Sequence, residues 1–448
     1  MEIQGVGLTD VGQKRDHNED YFLIDADIGL YIVCDGMGGH AAGEVASEMA
    51  ALTVKRYIEK NHRVLEEFRT NENTKSREKI CALVERAVQR ACREIYRTAQ
   101  ADKSKTGMGT TLEMLLVVGD KGVMGHVGDS RLYLTRNGQL HQMSEDHSYV
   151  TEMIKRGKMT REEARNSPFG NVITRAVGIQ ESIQVDTLII DILPGDTYLL
   201  CSDGLSTYMD DPNELAKYMG RDEIDETPKK LIEIANKRGG SDNITVVMVR
   251  GIPSEEEAEE QQLRADDVFH QLDVLRKISL FRHLNYKELV KVLNITRVEI
   301  FESNAIVISE GSQGTELYVV LSGNLDVRRE AQSIAKLETG MHFGEMALVD
   351  QSPRSATVIV EGDTRLMIIE RRDFYNLIRK EPILAVKLLW SFVQSLSGRL
   401  RDANEQLLDA RMATDDDETI PFLDPGNVFI EDDDDSGFIE PPALHAEE

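Results

Sequence analysis

The chain has 448 residues, enough for two or three domains, and 41% of them are hydrophobic, enough for packed cores. A net charge of −27 excludes broad binding to nucleic acid or to acidic membranes, which needs a positive field. The four cysteines, Cys34, Cys81, Cys92 and Cys201, fit no zinc spacing. The start "MEIQGVGLTDVGQ" has no signal-peptide pattern, and no apolar run reaches about 18 residues. A reduced, cytoplasmic protein is the expectation.

Residues 1–252 form the first section. Short strand-like runs recur at 30–34, 111–118, 122–127, 131–143, 197–202 and 244–249. Asn137-Gly138, between alternating apolar residues, predicts a two-residue hairpin. Helical spacing predicts one helix over 44–58, with Val45, Met49 and Leu52 on one face. It predicts a second over 78–98, with Leu83, Ala87, Ala91 and Ile95 recurring. Strand pairs with a few long helices predict an α+β fold of antiparallel sheets with helices packed outside.

The acidic stretch 253–267 reads as a linker or a solvated helix start. Residues 268–412 form the second section. It opens helical, continues as short strands punctuated by Gly311, Gly314, Gly323, Gly340 and Gly344, and closes on a long helix. Along that helix Leu389, Val393, Leu396, Leu400, Ala403, Leu407 and Ala410 alternate at spacings of four and three. Such an a/d seam suits a homodimer through 389–410, the alternative being packing on the chain's own strands. The tail 413–448 carries thirteen acids and no Lys or Arg, and reads as disordered.

Carboxylates stand at the ends of the apolar runs. Asp35 and Asp203 each follow one and precede a glycine, Asp242 comes just before one, and Asp129 lies in a turn between two. Arg15, Glu19 and Asp20 lie together near the start. Any one Asp-Gly is most often only a turn. Gathered at low dielectric, however, carboxylates repel and persist only with cations. All-oxygen ligation suits Mg²⁺ or Mn²⁺, and glycine leaves room for ions and substrate.

Eight segments occur in order: "QKRDHNEDYF", "VCDGMGGHAAGE", "GMGTTL", "GHVGDSRLY", "SEDHS", "NVITRAVG", "LLCSDGL" and "GGSDNITVV". Together they resemble the metal-dependent protein serine/threonine phosphatases of type 2C, the PPM family, in its bacterial branch. The resemblance implies an αββα fold, a β-sandwich between helix layers, with two Mn²⁺ or Mg²⁺ ions in a cleft at one end. By position, Asp35 would bridge both ions, Gly36 would offer its carbonyl, and Asp203 and Asp242 would complete the site. Asp129 would hold a third, weaker ion. Glu19 and Asp20 would hold metal-bound waters, Asn243 would stand in the second shell, and Arg15 would hold the phosphate. The implied chemistry is in-line attack of activated water on a phosphomonoester of phosphoserine or phosphothreonine proteins. Animal members have a histidine after the Asp-Gly as the proposed general acid. Here Met37 stands there, and His40 reads as a structural or second-shell residue. Residues 149–176 occupy the position of the family's mobile flap. A catalytically silent scaffold would be expected to lack metal ligands, and all are present.

"HFGEMALVDQSPRSATV" (342–358) resembles the phosphate-binding cassette of cyclic nucleotide-binding domains, a β-roll with a long C-terminal helix. A helix N-terminus and an arginine would share the phosphate of cAMP or cGMP. The resemblance places Glu345 on the ribose hydroxyl and Arg354 on the cyclic phosphate. Gly344, Met346, Ala347 and Ser355 would add backbone or hydroxyl contacts. A second section that only docks partners is the competing expectation.

Overall fold

The computed structural model describes residues 1–413, apart from 39–41, 210, 221–223, 255 and 351. His40 and the tail from 414 onward lie outside the described residues. No helix among the described residues is long and apolar enough to cross a membrane.

The first section opens with strands β1 (Glu2–Asp10), β2 (Tyr21–Asp25), β3 (Leu30–Cys34) and β4 (Gly36–Met37), then helices α1 (Ala42–Lys60), α2 (His62–Thr70) and α3 (Thr74–Ala101). Next come β5 (Gly109–Thr110), β6 (Leu112–Val118), β7 (Lys121–Val127), β8 (Arg131–Arg136) and β9 (Gln139–Gln142). Helices α4 (Tyr149–Lys155) and α5 (Arg161–Arg165) precede β10 (Asp186–Asp191) and β11 (Thr197–Cys201). The short α6 (Asp203–Ser206), then α7 (Pro212–Met219), α8 (Thr227–Arg238) and β12 (Ile244–Ile252), complete it. One five-stranded sheet runs β1-β12-β11-β8-β9 and the other β10-β7-β6-β3-β2.

The two sheets stack face to face, and the apolar pattern explains why. Tyr31, Val33, Leu132, Leu134, Tyr198, Leu200, Val247 and Val249 meet in one core between the sheets. Their neighbours alternate outward. Leu30, Ile32 and Cys34 pack under α1 and α3. Leu199, Cys201, Val246 and Met248 pack under α7 and α8. The central strands β3, β6, β7 and β11 are therefore buried on both faces, and β3, β6 and β11 read as apolar runs rather than alternations. Full burial of each large side chain contributes about 1.5–3 kcal/mol. The result is the expected helix–sheet–sheet–helix layering.

Helix α3 begins earlier than its apolar spacing predicts. Asn73 caps it, accepting from Lys75 and Ser76 N–H, while the Ser76 hydroxyl accepts from Asn73 N–H. Helix α1 corrects an expectation. Leu52 is 37% exposed, and the sheet-facing side is Ala46, Ala50, Val54 and Ile58. Small residues let α1 lie close against α3, which buries Ala87 and Ala91 in the same core, so the larger Leu52 is left outside. The β8–β9 hairpin turns on Asn137 (φ 51°) and Gly138 (φ 75°), the paired left-handed conformations that Asn-Gly favours.

In the second section α9 (Ala258–Lys277) takes in most of the acidic stretch and runs on into the part predicted helical, and α10 (Tyr286–Leu293) follows. Then come β13 (Thr296–Phe301), β14 (Ile306–Ile308), β15 (Glu316–Ser322), β16 (Leu325–Arg329), β17 (Gln332–Leu337) and β18 (His342–Phe343). The one-turn α11 (Met346–Val349), β19 (Thr357–Val360), β20 (Thr364–Glu370), α12 (Arg371–Lys380) and α13 (Pro382–Ala413) follow. Sheets β13-β20-β15-β18 and β14-β19-β16-β17 enclose Tyr318, Val320, Leu325, Phe343, Val358 and Leu366 as a β-roll.

Helix α13 shows two apolar faces. Leu384, Leu388 and Phe392 are buried with the roll and α12, whereas Leu389, Val393, Leu396, Leu400 and Leu407 are exposed. The two sections also meet directly. Arg136 Nη1 donates to Tyr286 Oη at 2.6 Å, the His141 and Tyr286 rings stack at 3.9 Å, and Asn294 Nδ2 donates to Ile189 O at 2.7 Å.

Candidate functional site

Antiparallel alternation brings five chain segments to one end of the sandwich. Asp35 follows β3, and Asp203 opens α6 just past β11. Asp242 and Asn243 lead into β12, Asp129 lies in the β7–β8 turn, and Arg15, Glu19 and Asp20 lie on the β1–β2 connection. Strand hydrogen bonding thus fixes the Cα positions of residues more than 200 apart in sequence.

Asp35 is anchored through its backbone. Its N–H donates to Thr111 Oγ1 at 2.9 Å, and its carbonyl accepts from Thr110 Oγ1 at 2.8 Å and Thr111 N–H at 2.9 Å. The carboxylate is left to face the other acids. Gly36 has no room for a side chain: a Cβ there would lie 2.3 Å from Gly43 O and 2.4 Å from Glu19 O. Asn243 ties down the β1–β2 connection. Its Oδ1 accepts from Glu19 N–H at 2.8 Å, and its Nδ2 donates to Val11 O and His17 O.

The acids raise one another's affinity for positive charge. Burial, then repulsion from Asp20, Asp203, Asp129 and Asp242, pushes the Asp35 carboxyl well above the usual carboxylate range. Burial and Asp242 raise Asp203, whose carboxylate lies against that of Asp35. Burial pushes Asp20 up to about 7, although Ser202 and Thr245 hydroxyls donate to its Oδ2 at 2.8 and 2.7 Å. Asp129 is likewise pushed up to about 7, by burial and then by Asp203. Asp20 Oδ1 and Asp203 Oδ1 are buried without a partner among the described residues. Such orphaned oxygens in a negative field fit a cation of the Mg²⁺ or Mn²⁺ type. No three His, Cys, Asp or Glu side chains among the described residues already stand as a preformed ligand set. Small side-chain rotations would have to draw these oxygens onto an ion.

Arg15 does not stand free at the cleft. Its Nη2 donates to Asp242 Oδ2 at 2.7 Å. Asp20, expected among the metal-bound waters, holds Ser202 and Thr245 and so joins β11 to β12.

Behind the Asp129 turn lie groups to which sequence reasoning gave no role. Glu113 and His126 are fully buried on neighbouring strands, with Nδ1 2.7 Å from Oε2. His147 is also buried, its ring 4.6 Å from that of His126. The available signal was a charged residue inside each of two apolar strands.

In the second section Arg354 is buried in a glycine-lined cradle. A Cβ on Gly314 would lie 2.3 Å from its Nε, and one on Gly344 2.5 Å from its Nη1. Nη2 donates to Glu316 O at 2.9 Å and Oε2 at 3.2 Å, Nη1 donates to Gly344 O at 3.3 Å, and Nε has no partner among the described residues. Glu345 and Ala347 are buried nearby, while Met346 and Ser355 are exposed. The helix expected to draw the anion is the single turn α11. Its Ala347 and Leu348 amides already donate to Gly344 O and Glu345 O, so those two do not face an anion, whereas the guanidinium does.

Comparison with known proteins agrees with both halves. A family model described as protein phosphatase 2C matches residues 12–242, and one described as cyclic nucleotide-binding domain matches 298–381. The serine/threonine phosphatase stp of Listeria monocytogenes is 36% identical over 244 residues, 54% of this chain and 93% of that protein. The protein phosphatase PhpP of Streptococcus pneumoniae is 38% identical over 257 residues, 56% of this chain and 98% of that protein. The crystal structure of the Mycobacterium tuberculosis serine/threonine phosphatase PstP/Ppp is 32% identical, with a TM-score of 0.49, covering 56% of this chain and 99% of that one. The helix-flanked sandwich with acids gathered at one end is that of a protein phosphatase. The chain belongs to the protein phosphatase 2C family, and it carries a cyclic nucleotide-binding domain behind the phosphatase domain.

Proposed function

We propose that residues 1–252 hydrolyse phosphoserine and phosphothreonine esters on proteins, at a site for two Mn²⁺ or Mg²⁺ ions held by Asp35, the Gly36 carbonyl, Asp203 and Asp242. Asp129 would serve a third, weaker ion. The observation that carries this reading is the convergence of Asp35, Asp203 and Asp242 from three distant segments, with the buried Asp203 Oδ1 and, beside them, Asp20 Oδ1 left without a partner among the described residues. Divalent ions at that position supply charge that acidifies water and offsets the negative charge of the phosphoryl group. The chain's own residues do the rest. Asn243 and Asp20 hold the β1–β2 connection against β12, and so hold Glu19 and Arg15 at the mouth. Arg15 would turn from Asp242 to a phosphate, the planar bidentate partner that guanidinium suits. Turnover of p-nitrophenyl phosphate with Mn²⁺, lost with EDTA and in Asp203→Ala, is expected. Undiminished turnover in Asp203→Ala would overturn the reading.

The second section would bind cAMP or cGMP, with Arg354 on the phosphate and Glu345 on the ribose. The unpartnered, buried Nε and the glycine cradle support this. Nucleotide changes activity only by binding two conformations unequally. Calorimetry with each nucleotide tests it, and no heat with either removes the sensor. The exposed face of α13 would take a second copy of the chain, along the stripe of Leu389, Val393, Leu396, Leu400 and Leu407.

A further inference from the structure

Two of the segments quoted from the sequence, 144–148 and 171–178, have no part in the chemistry above, yet the structure joins them directly behind the Asp129 turn. His147 grips Gly128 from both sides. Its N–H donates to Gly128 O at 2.7 Å, and Gly128 N–H donates back to its Nδ1 at 3.1 Å. Because Nδ1 accepts, the ring proton sits on Nε2. Nε2 faces Asp186 Oδ2 at 3.3 Å, and Arg175 Nη1 donates to Oδ1 of the same carboxylate at 3.0 Å; its 3.0 Å approach to Nε2 sets two donors side by side and is no bond. The ring is therefore oriented from behind by Asp186, whose carboxylate Arg175 holds in turn.

Gly128 needs such a grip. Its φ is +111°, and a Cβ there would lie 2.6 Å from Thr111 Cγ2, so only glycine fits. Glycine is also the residue least able to hold its own conformation. Thr111, against which the turn presses, bonds Ser130 at 2.7 Å and accepts the Asp35 N–H. A shift of this turn would move Asp129 and disturb the anchor of Asp35 together.

The same residue reaches the segment beside the cleft. His147 O accepts from Thr174 N–H at 2.7 Å, and Tyr149 N–H donates to Val172 O at 2.7 Å. Both roots of 149–173 are thus tied at His147 and its neighbour Ser148, which also bridges to Ile173.

We infer that His147 is a positioning residue. It fixes the Gly128–Asp129 turn through its Nδ1 and links that turn to the roots of the 149–173 segment. The inference rests on the reading of Asp129 as the weaker cation position.

Asparagine and glutamine separate this role from packing. Asn places its Oδ1 close to where Nδ1 stands and can accept from Gly128, whereas the longer Gln places its amide near Nε2 and cannot. Two readouts on the full chain decide. Hydrogen exchange at the Gly128 amide is expected to quicken at least about tenfold in His147→Gln and to stay within about threefold of native in His147→Asn. Calorimetric titration with Mn²⁺ is expected to show the weakest binding step loosened about tenfold in His147→Gln and restored in His147→Asn. Equal behaviour of the two variants overturns the inference alone. A native chain that takes up no Mn²⁺ overturns the metal reading and this inference with it. Should His147→Gln not fold, Asp186→Asn releases the ring from behind, and unchanged Gly128 exchange in that variant overturns the proposal.

Discussion

Arg15 Nη2 and Asp242 Oδ2 are 2.7 Å apart, so the residue proposed to hold phosphate is paired with one proposed to hold metal. On that proposal substrate entry would exchange one anionic partner of Arg15 for another.

Replacing Arg15 with Ala is expected to lower kcat/KM on a phosphopeptide about 10- to 100-fold, chiefly through KM, since a charged hydrogen bond is worth about 1.5–3 kcal/mol. The pair is partly exposed, so the melting midpoint should move little. Steady-state kinetics with a melting curve checks both.

Gly36→Ala tests the crowding at the β3 end. The added methyl meets two backbone carbonyls that cannot turn aside. A loss of about 3 kcal/mol or more is expected, at or beyond the upper range for overpacking. Urea denaturation measures it, and a loss below about 1 kcal/mol would show that the segment yields.

The contact between the two halves should weaken in acid. Burial, with Arg136 and Arg276 near, pushes the His141 imidazole down to about 4, against about 6.5 when free. Between these values the unfolded chain binds a proton that the folded chain refuses. Stability from this group is thus full above about 6.5 and falls as pH drops towards 4. His141→Phe keeps a ring against Tyr286 and removes the proton. The fall in melting midpoint from pH 7 to pH 5 should be smaller in that variant.

Glu316 Oε2 lies 3.2 Å from Arg354 Nη2, and on the proposed reading it would compete there with a nucleotide phosphate. Glu316→Gln removes the competing charge and is expected to tighten cyclic nucleotide binding roughly three- to tenfold, whereas Arg354→Ala abolishes it. Calorimetry reads both, and unchanged affinity in Glu316→Gln would mean that the carboxylate does not compete.

The outer face of α13 is tested by Leu396→Asp with Leu400→Asp. Both side chains are exposed, so the fold should survive. Sedimentation should show the native chain as a dimer and the double variant as a monomer. A monomeric native chain refutes the seam.

The carboxylate sites were legible because strand ends carry them: an apolar run stopping at Asp35 or Asp203 marks both the strand and the acid. Hairpin chemistry was legible at Asn137-Gly138 for the same local reason. The buried face of α1 was not, because alanines carry it and hydropathy favours Leu52, whereas close helix packing favours small residues. Nor was the Glu113–His126 pair, since each lies inside an apolar strand and only the β6–β7 register sets them side by side. His147 could be quoted but not understood, because its partners Gly128, Arg175 and Asp186 come together only in three dimensions. The pairing of Arg15 with Asp242 spans 227 residues and has no local signature.

Tyr286 bears on how the chain can be dissected. It lies in the second section, yet its hydroxyl and ring are seated on Arg136 and His141 of the first. Arg136 in turn holds Asp196, whose carboxylate accepts the Leu193 N–H. Severing the polypeptide after Ile252 would strip the lid from this buried cation and leave raw apolar surface where α9 and α10 had rested. A truncated catalytic half would thus differ from the native one at this seam as well as in lacking the second domain. Silencing the sensor by a point change in its pocket leaves that seam whole.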